Sequence, residues 1–215
     1  MKTTGKKLKV LFQTDSPLAK TGFGRNAKAL LSYLYRTGKY DISQYCCSTA
    51  WSDPNLKRVP WEAFGTLPDD KAELNQISQN PQINRTLGYG EYNIDKAVKR
   101  AKPDVMISVQ DIWGIDFTLN KPWFNKIHNV YWTTLDSLPI IPSAENAAKK
   151  IKNFWVWSNF AEKGMKKRGF NNVKTMHGCV EAKDFKKIPL NKRQELRHIN
   201  EIPQDAFIVG FVFRN

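Results

Sequence analysis

The chain has 215 residues, 41% of them hydrophobic and 25% charged, which is enough to bury a core and excludes an intrinsically disordered polymer. Thirty-four Lys and Arg against 20 acids leave a formal charge of +14, a balance that points to an anionic partner: nucleic acid, anionic lipid, a polyphosphate polymer or a phosphorylated substrate. No apolar run approaches the roughly 18 residues of a bilayer span, and Met1 to Lys9 is basic and polar rather than a secretory leader, so a cytoplasmic protein without a transmembrane segment is expected.

In chain order, Lys9–Gln13 reads as a short apolar strand. Ala27, Leu30, Leu31 and Leu34 repeat at helical spacing and mark an amphipathic helix closed by Gly38. Ile42–Ser48 fits a second strand. Residues 51–90 are punctuated by four prolines and three glycines, with Trp51 and Trp61 interspersed, and read as an irregular insertion. Ile94, Ala97, Val98 and Ala101 predict a helix stopped by Pro103. Strands follow at Asp104–Val109 and Asn129–Thr134, then a helix capped by Ser143, a strand Phe154–Trp157, and a helix with a capping box of Asn159 and Glu162 ending at Gly169. Val173–Met176 is a further strand, and Asn191 with Gln194 repeats the box ahead of a helix reaching about Asn200. Phe207–Phe213 is an unbroken apolar run, the pattern of a strand buried on both faces of a parallel sheet. It is expected to open a second domain, with the boundary at 204/205. Strands separated by helices imply βα units: an α/β, Rossmann-like, mostly parallel sheet with helices on both faces.

Ligands of such sheets bind beyond the carboxyl ends of the strands, which makes the residues just past each strand the candidates. After the first strand come Asp15 and the loop Thr21-Gly22-Phe23-Gly24-Arg25, opening directly into a helix. Glycines there permit close backbone approach, the helix start offers free N–H groups to an anion, and Arg25 adds a positive charge. Gly22-x-Gly24-x-x-Ala27 formally matches a dinucleotide fingerprint. Six residues separate Asp15 from Gly22, however, and the second strand ends Cys46-Cys47-Ser48-Thr49 without an acid for a ribose. Gln110 and Asp111 follow the third predicted strand, where Asp111 is either a site carboxylate or a helix N-cap. Asp136 is placed to orient a sugar hydroxyl or to act in proton transfer. Ser158 fits a capping role, and His177-Gly178 sets an imidazole and a tight turn at a strand end. Cys46, Cys47 and Cys179 show no C-x-x-C spacing and make no metal pattern with His128, His177 and His198, so no metal site is expected.

Taken together, the order is Thr21-Gly22-Phe23-Gly24-Arg25, Pro103-Asp104-Val105 leading to Gln110-Asp111, and Tyr131 to Asp136. Trp157-Ser158-Asn159-Phe160 with Gly164 and Gly169 comes next, then His177-Gly178 through Asp184-Phe185, Arg197 and Ile202-Pro203 to Arg214-Asn215. This order resembles the N-terminal half of retaining glycosyltransferases of the GT-B fold, GT4-like and phage-type, over the whole chain except 51–90. The resemblance implies an acceptor-holding domain spanning 1–204. A C-terminal donor domain would begin at 205–215 and complete the enzyme. It further implies a nucleotide-sugar donor, UDP- or GDP-linked, and transfer with retention without an obligatory metal. The catalytic candidates are Asp136 and Asp111. Thr21, Gly22, Phe23, Gly24, Arg25, Gln110, Ser158, His177, Gly178 and Arg214 are the candidates for holding donor or acceptor. Many members carry a histidine near Gln110-Asp111 or Asp136, and this chain has none there. The +14 charge suits an acceptor that is phage DNA or another polyanion. In that case Trp51 and Trp61, beside Lys57-Arg58, would stack on a base or meet a membrane interface peripherally; the alternative is ordinary packing in the core. Two other classes remain open: a non-catalytic basic nucleic-acid-binding module, and a dinucleotide-dependent oxidoreductase, which the loop length argues against.

Overall fold

Seven extended runs set the frame of the computed structural model of the chain, which describes residues 6–182 and 185–210. They are β1 (Leu8–Asp15), β2 (Tyr40–Ala50), β3 (Glu62–Leu67), β4 (Val105–Val109), β5 (His128–Thr133), β6 (Asn153–Val156) and β7 (Val173–Thr175). They form one sheet in the order β3-β2-β1-β4-β5-β6-β7, parallel at every pairing. The helices are α1 (Gly22–Arg36), α2 (Lys71–Ser78), α3 (Pro81–Leu87), α4 (Ile94–Ala101), α5 (Ile112–Ile115), α6 (Pro142–Lys150), α7 (Asn159–Lys167) and α8 (Leu190–Ile199), with 3-10 turns at Pro54–Arg58, Asp116–Asn120 and Phe124–Lys126.

Successive side chains of a strand point to opposite faces, and β1 shows what each face holds. Val10 and Phe12 pack with Leu31 of α1, Ile42 and Trp61, whereas Leu11 packs with Ile94 and Ala97 of α4, Met106 and Tyr45. The second face continues under α6 and α7, where Ala144, Ala147, Ala161 and Met165 cover Tyr131, Phe154 and Val156. The sheet is therefore Rossmann-like, with helices on both faces.

Three differences from the sequence reading have local causes. Segment 51–90 is regular: it holds β3, α2 and α3. Strand β3 escapes an apolar-run search because it is a six-residue edge strand, Glu-Ala-Phe-Gly-Thr-Leu, between Pro60 and Pro68. The expected caps shift as well. α7 is capped by Ser158, whose Oγ accepts from Ala161 N at 3.2 Å, not by Asn159. α6 starts at Pro142, fixed by the proline at its first turn, not at Ser143, and α8 follows Pro189 rather than Asn191. Finally, residues 207–210 carry no strand and are exposed, and Phe211–Phe213 lie outside the described residues.

The chain divides into two compact units, one up to Val180 that holds the whole sheet and one from Glu181 that holds α8. Within the second unit Arg197 is the organising side chain. It is buried, and its guanidinium donates to the carbonyls of Pro203, Gln204 and Ala206 at 2.5, 2.9 and 2.8 Å.

Candidate active site at the carboxyl ends of the strands

Strands β2 and β3 lie on one side of β1, and β4 to β7 lie on the other, so the connectivity reverses between β1 and β4. That switch point opens a crevice beyond the strand ends. Asp15 is the last residue of β1 and Gln110 the first past β4, and the structure joins them: Gln110 Nε2 donates to Asp15 Oδ1 at 2.5 Å. The other carboxylate oxygen of Asp15 accepts from Thr21 Oγ1 at 2.5 Å. Thr21 in turn accepts from Gly24 N at 2.9 Å and so caps α1. One carboxylate thereby ties the β1 end to both the β4 end and the glycine loop.

The network extends into the buried sheet through glutamines. Gln44 Nε2 donates to the Asp15 carbonyl at 3.0 Å and its Oε1 accepts from Trp61 Nε1 at 2.8 Å. Gln13 Nε2 donates to the Tyr89 carbonyl at 2.7 Å, and its Oε1 accepts from Ser108 at 2.9 Å. These fully buried polar groups are all partnered, which makes the arrangement rigid. Tyr89 stands at the crevice, where burial and then the charge of Asp111 push its phenol pKa up. Its ring meets Trp113 edge-on at 5.1 Å between centroids, and Trp113 remains 37% exposed.

Beyond β4 and β5 lies a small open cleft of about 170 Å³, lined by Asp111, Trp113, Thr134, Asp136, Ser137 and the aliphatic residues around them. Asp111 occupies the N-cap position of α5 but makes no capping bond; its carboxylate accepts from Thr134 Oγ1, bridging the ends of β4 and β5. Asp136 is exposed and has no hydrogen-bond partner among the described residues. Among the described residues the lining carries two carboxylates and no Lys or Arg. Such a cleft accepts hydrogen bonds from hydroxyls and repels phosphate.

The remaining candidates gather farther along the strand ends. Gly178 packs on Trp157, where an added Cβ would lie 2.7 Å from the ring, and Phe23 meets the same ring edge-on at 5.3 Å. His177 Nδ1 lies 3.0 Å from the Trp157 carbonyl, which can only accept, so that nitrogen carries a proton. Cys179 N donates to Asn26 Oδ1 of α1 at 2.6 Å. Asn26 Nδ2 and Trp157 Nε1 are buried donors without a partner among the described residues.

Several candidates receive structural roles. A Cβ on Gly24 would meet the Ala19 and Ser16 carbonyls at 2.5 and 2.8 Å, so this glycine admits the loop's own backbone, whereas Gly22 faces open space. Phe23 and Gly178 pack against Trp157, Ser158 caps α7, and Arg25 is exposed on α1. Arg214 lies outside the described residues. Trp51 and Trp61 are no base-stacking platform. They are 8% and 7% exposed; Trp51 packs on Phe64 at 4.9 Å with the Lys96 ammonium 4.0 Å from its ring centroid. Burial pushes the Cys46 and Cys47 thiols well up, away from the thiolate needed for reactivity. Sequence reasoning missed Gln13, Gln44 and Tyr89. The available signal was a glutamine inside each of two apolar strands, since a buried amide must find partners.

Among the described residues no group of three or more His, Cys, Asp or Glu could hold a metal ion, and no helix is long and apolar enough to cross a membrane. No protein-family model and no curated protein matches the chain. Solved structures with a similar arrangement include the calicheamicin glycosyltransferase CalG4, at 10% identity and a TM-score of 0.47 over 82% of this chain and 53% of that one. A UDP-GlcNAc 2-epimerase from Methanocaldococcus jannaschii aligns at 12% identity and 0.46, over 80% and 46%. Arabidopsis thaliana UGT89C1, solved with UDP, aligns at 10% and 0.46, over 90% and 57%. The chain thus spans about half the length of each.

Proposed function

We propose that the chain is the acceptor-holding part of a GT-B-type glycosyltransferase that moves a sugar, with retention, from a UDP- or GDP-sugar to a hydroxyl-bearing acceptor. The observation that carries this reading is the cleft of Asp111 and Asp136, without a cation among the described residues, set beside the switch point and edged by the partly exposed ring of Trp113. Carboxylates that accept from hydroxyls, next to an aromatic face that packs on apolar ring C–H groups, suit a saccharide or other polyol better than a nucleotide phosphate. At about 170 Å³ the cleft is smaller than the roughly 300–1,000 Å³ of complete ligand pockets. That size suits one reacting residue of a larger molecule.

In this reading Asp136, without a hydrogen-bond partner among the described residues, orients the attacking hydroxyl. Asp111 is held by Thr134 as the neighbouring carboxylate. The donor phosphates approach the start of α1, where Gly22 lies in open space and Arg25 supplies charge. A donor domain contributes the other wall of the cleft. The test is sugar transfer by the protein as encoded, with UDP- and GDP-sugars against a panel of saccharide and lipid acceptors. Asp136→Asn is expected to lower turnover by about 10²- to 10⁴-fold with donor KM unchanged. Wild-type turnover in that variant, or no transfer from any donor alongside tight duplex binding, would replace the reading with that of a nucleic-acid-binding module.

A further inference from the structure

The acidic cleft is lined by α5 and by the approach to α6, and the segments that follow these two in the chain line a second, larger groove. Its lining comes from the 3-10 turn after α5 (Asp116, Phe117, Leu119, Asn120), from α6 (Ser143, Asn146, Lys149, Lys150) and from Arg85 of α3, and it encloses about 660 Å³. This volume falls within the range of complete ligand pockets, roughly 300–1,000 Å³. Arg100, Lys121, Lys166, Arg168 and Lys192 each rest on a carboxylate. Arg85, Lys149 and Lys150 do not, among the described residues, although two separate helices bring them to one groove. The lysines also complement the carboxyl end of α6, but that role does not require them to line a groove with Arg85. Acidic groups are few. Asp116 is partly buried, and burial raises its pKa while Arg85 opposes that rise. Glu91, nearby, accepts from Thr86 Oγ1. Ser143, Asn120 and Asn146 supply neutral donors beside the cations.

We propose that this groove is an anion-binding site for a phosphate-type group, and that it holds the charged part of an acceptor whose hydroxyl end occupies the neighbouring acidic cleft. The second half of that statement rests on the glycosyltransferase reading; the first does not. The division of charge accounts for a basic chain that has, among the described residues, no cation in the cleft beside its switch point.

The experiment is calorimetric titration of the chain with inorganic pyrophosphate at fixed ionic strength. Arg85→Ala, Lys149→Ala and Lys149→Gln are each expected to weaken binding about fivefold, as loss of one exposed charge contact does. Lys39→Ala, an exposed lysine just ahead of β2 that lines neither the groove nor the start of α1, should bind as wild type. All are surface positions, and circular dichroism verifies their folding. Absence of saturable pyrophosphate binding, or equal affinity in the groove variants, overturns the proposal. A short DNA duplex as competitor identifies the source. Displacement of pyrophosphate, with duplex affinity reduced by the same substitutions, indicates a nucleic-acid backbone. Retained pyrophosphate binding without competition indicates a phosphorylated small molecule or headgroup. Pyrophosphate binding that survives in a protein unable to transfer sugar would leave the groove standing and remove the transferase reading.

Discussion

Gly22 and Gly24 occupy one sequence motif but differ in what surrounds them. At Gly24 an added Cβ meets two backbone carbonyls of the same loop within 3 Å, and lies 3.0 Å from the capping oxygen of Thr21. Gly24→Ala should therefore cost about 2–3 kcal/mol in a denaturant melt, the usual penalty of overpacking. Gly22→Ala, in open space at the first helical position, should be neutral or stabilise by up to about 1 kcal/mol through the unfolded chain. Equal destabilisation by both would show that the loop is organised differently. Trp51 gives a second residue-scale contrast. A core role predicts a loss of about 3–5 kcal/mol for Trp51→Ala, whereas a base-stacking role predicts lost duplex affinity at unchanged stability.

Among the elements, β7 is the edge strand that carries His177 past its end, and Glu162 of α7 holds it in place. The carboxylate accepts from Lys166 and from both the N–H and the hydroxyl of Thr175, at 2.7 and 2.5 Å for the latter two. These bonds, led by that of Lys166, hold its pKa down to about 2 from the ordinary 4.5. A depressed carboxyl pKa stabilises the fold fully above the unfolded value and loses that contribution as pH falls through the folded one. Wild-type stability should thus decline between about pH 4.5 and 2 more steeply than that of Glu162→Gln, measured by chemical melts across that window. Parallel slopes would mean that Glu162 does not hold the strand. In α8, by contrast, Arg197 is the one buried residue, and it ties the helix to the turn at Pro203–Ala206.

At the scale of the molecule, this unevenness predicts a gradient of opening. Leu190, Ile199 and Phe207 are exposed by 67, 64 and 92%, whereas Leu11, Tyr45 and Tyr131 are fully buried in the sheet. Amides of α8 should exchange with solvent orders of magnitude faster than those of β1, β4 and β5 under native conditions. Uniform protection across both would show that α8 has packing partners beyond those within its own unit. The +14 charge also acts at this scale, but it is not uniform: among the described residues the cleft of Asp111 and Asp136 holds no cation, while Arg85, Lys149 and Lys150 line the larger groove.

Local pattern was sufficient for much of this. Short apolar runs separated by amphipathic helices determined the parallel α/β class and located six of the seven strands to within two residues, because two-faced burial writes itself into the sequence as continuous hydrophobicity. The order of strands in the sequence was enough to place Gln110, Asp111 and Asp136 just past the ends of β4 and β5, where the structure has them. Edge strand β3 was not legible, since half its surface is open and its composition is correspondingly mixed. Nor were the partnerships of the site. Asp15 meets Gln110 across 95 residues and Tyr89 meets Gln13 across 76, so only the ordering of strands in the sheet could bring them together. The same holds for the division of charge between cleft and groove: composition sums the lysines and arginines, whereas their positions depend on which helix faces which, and packing alone decides that.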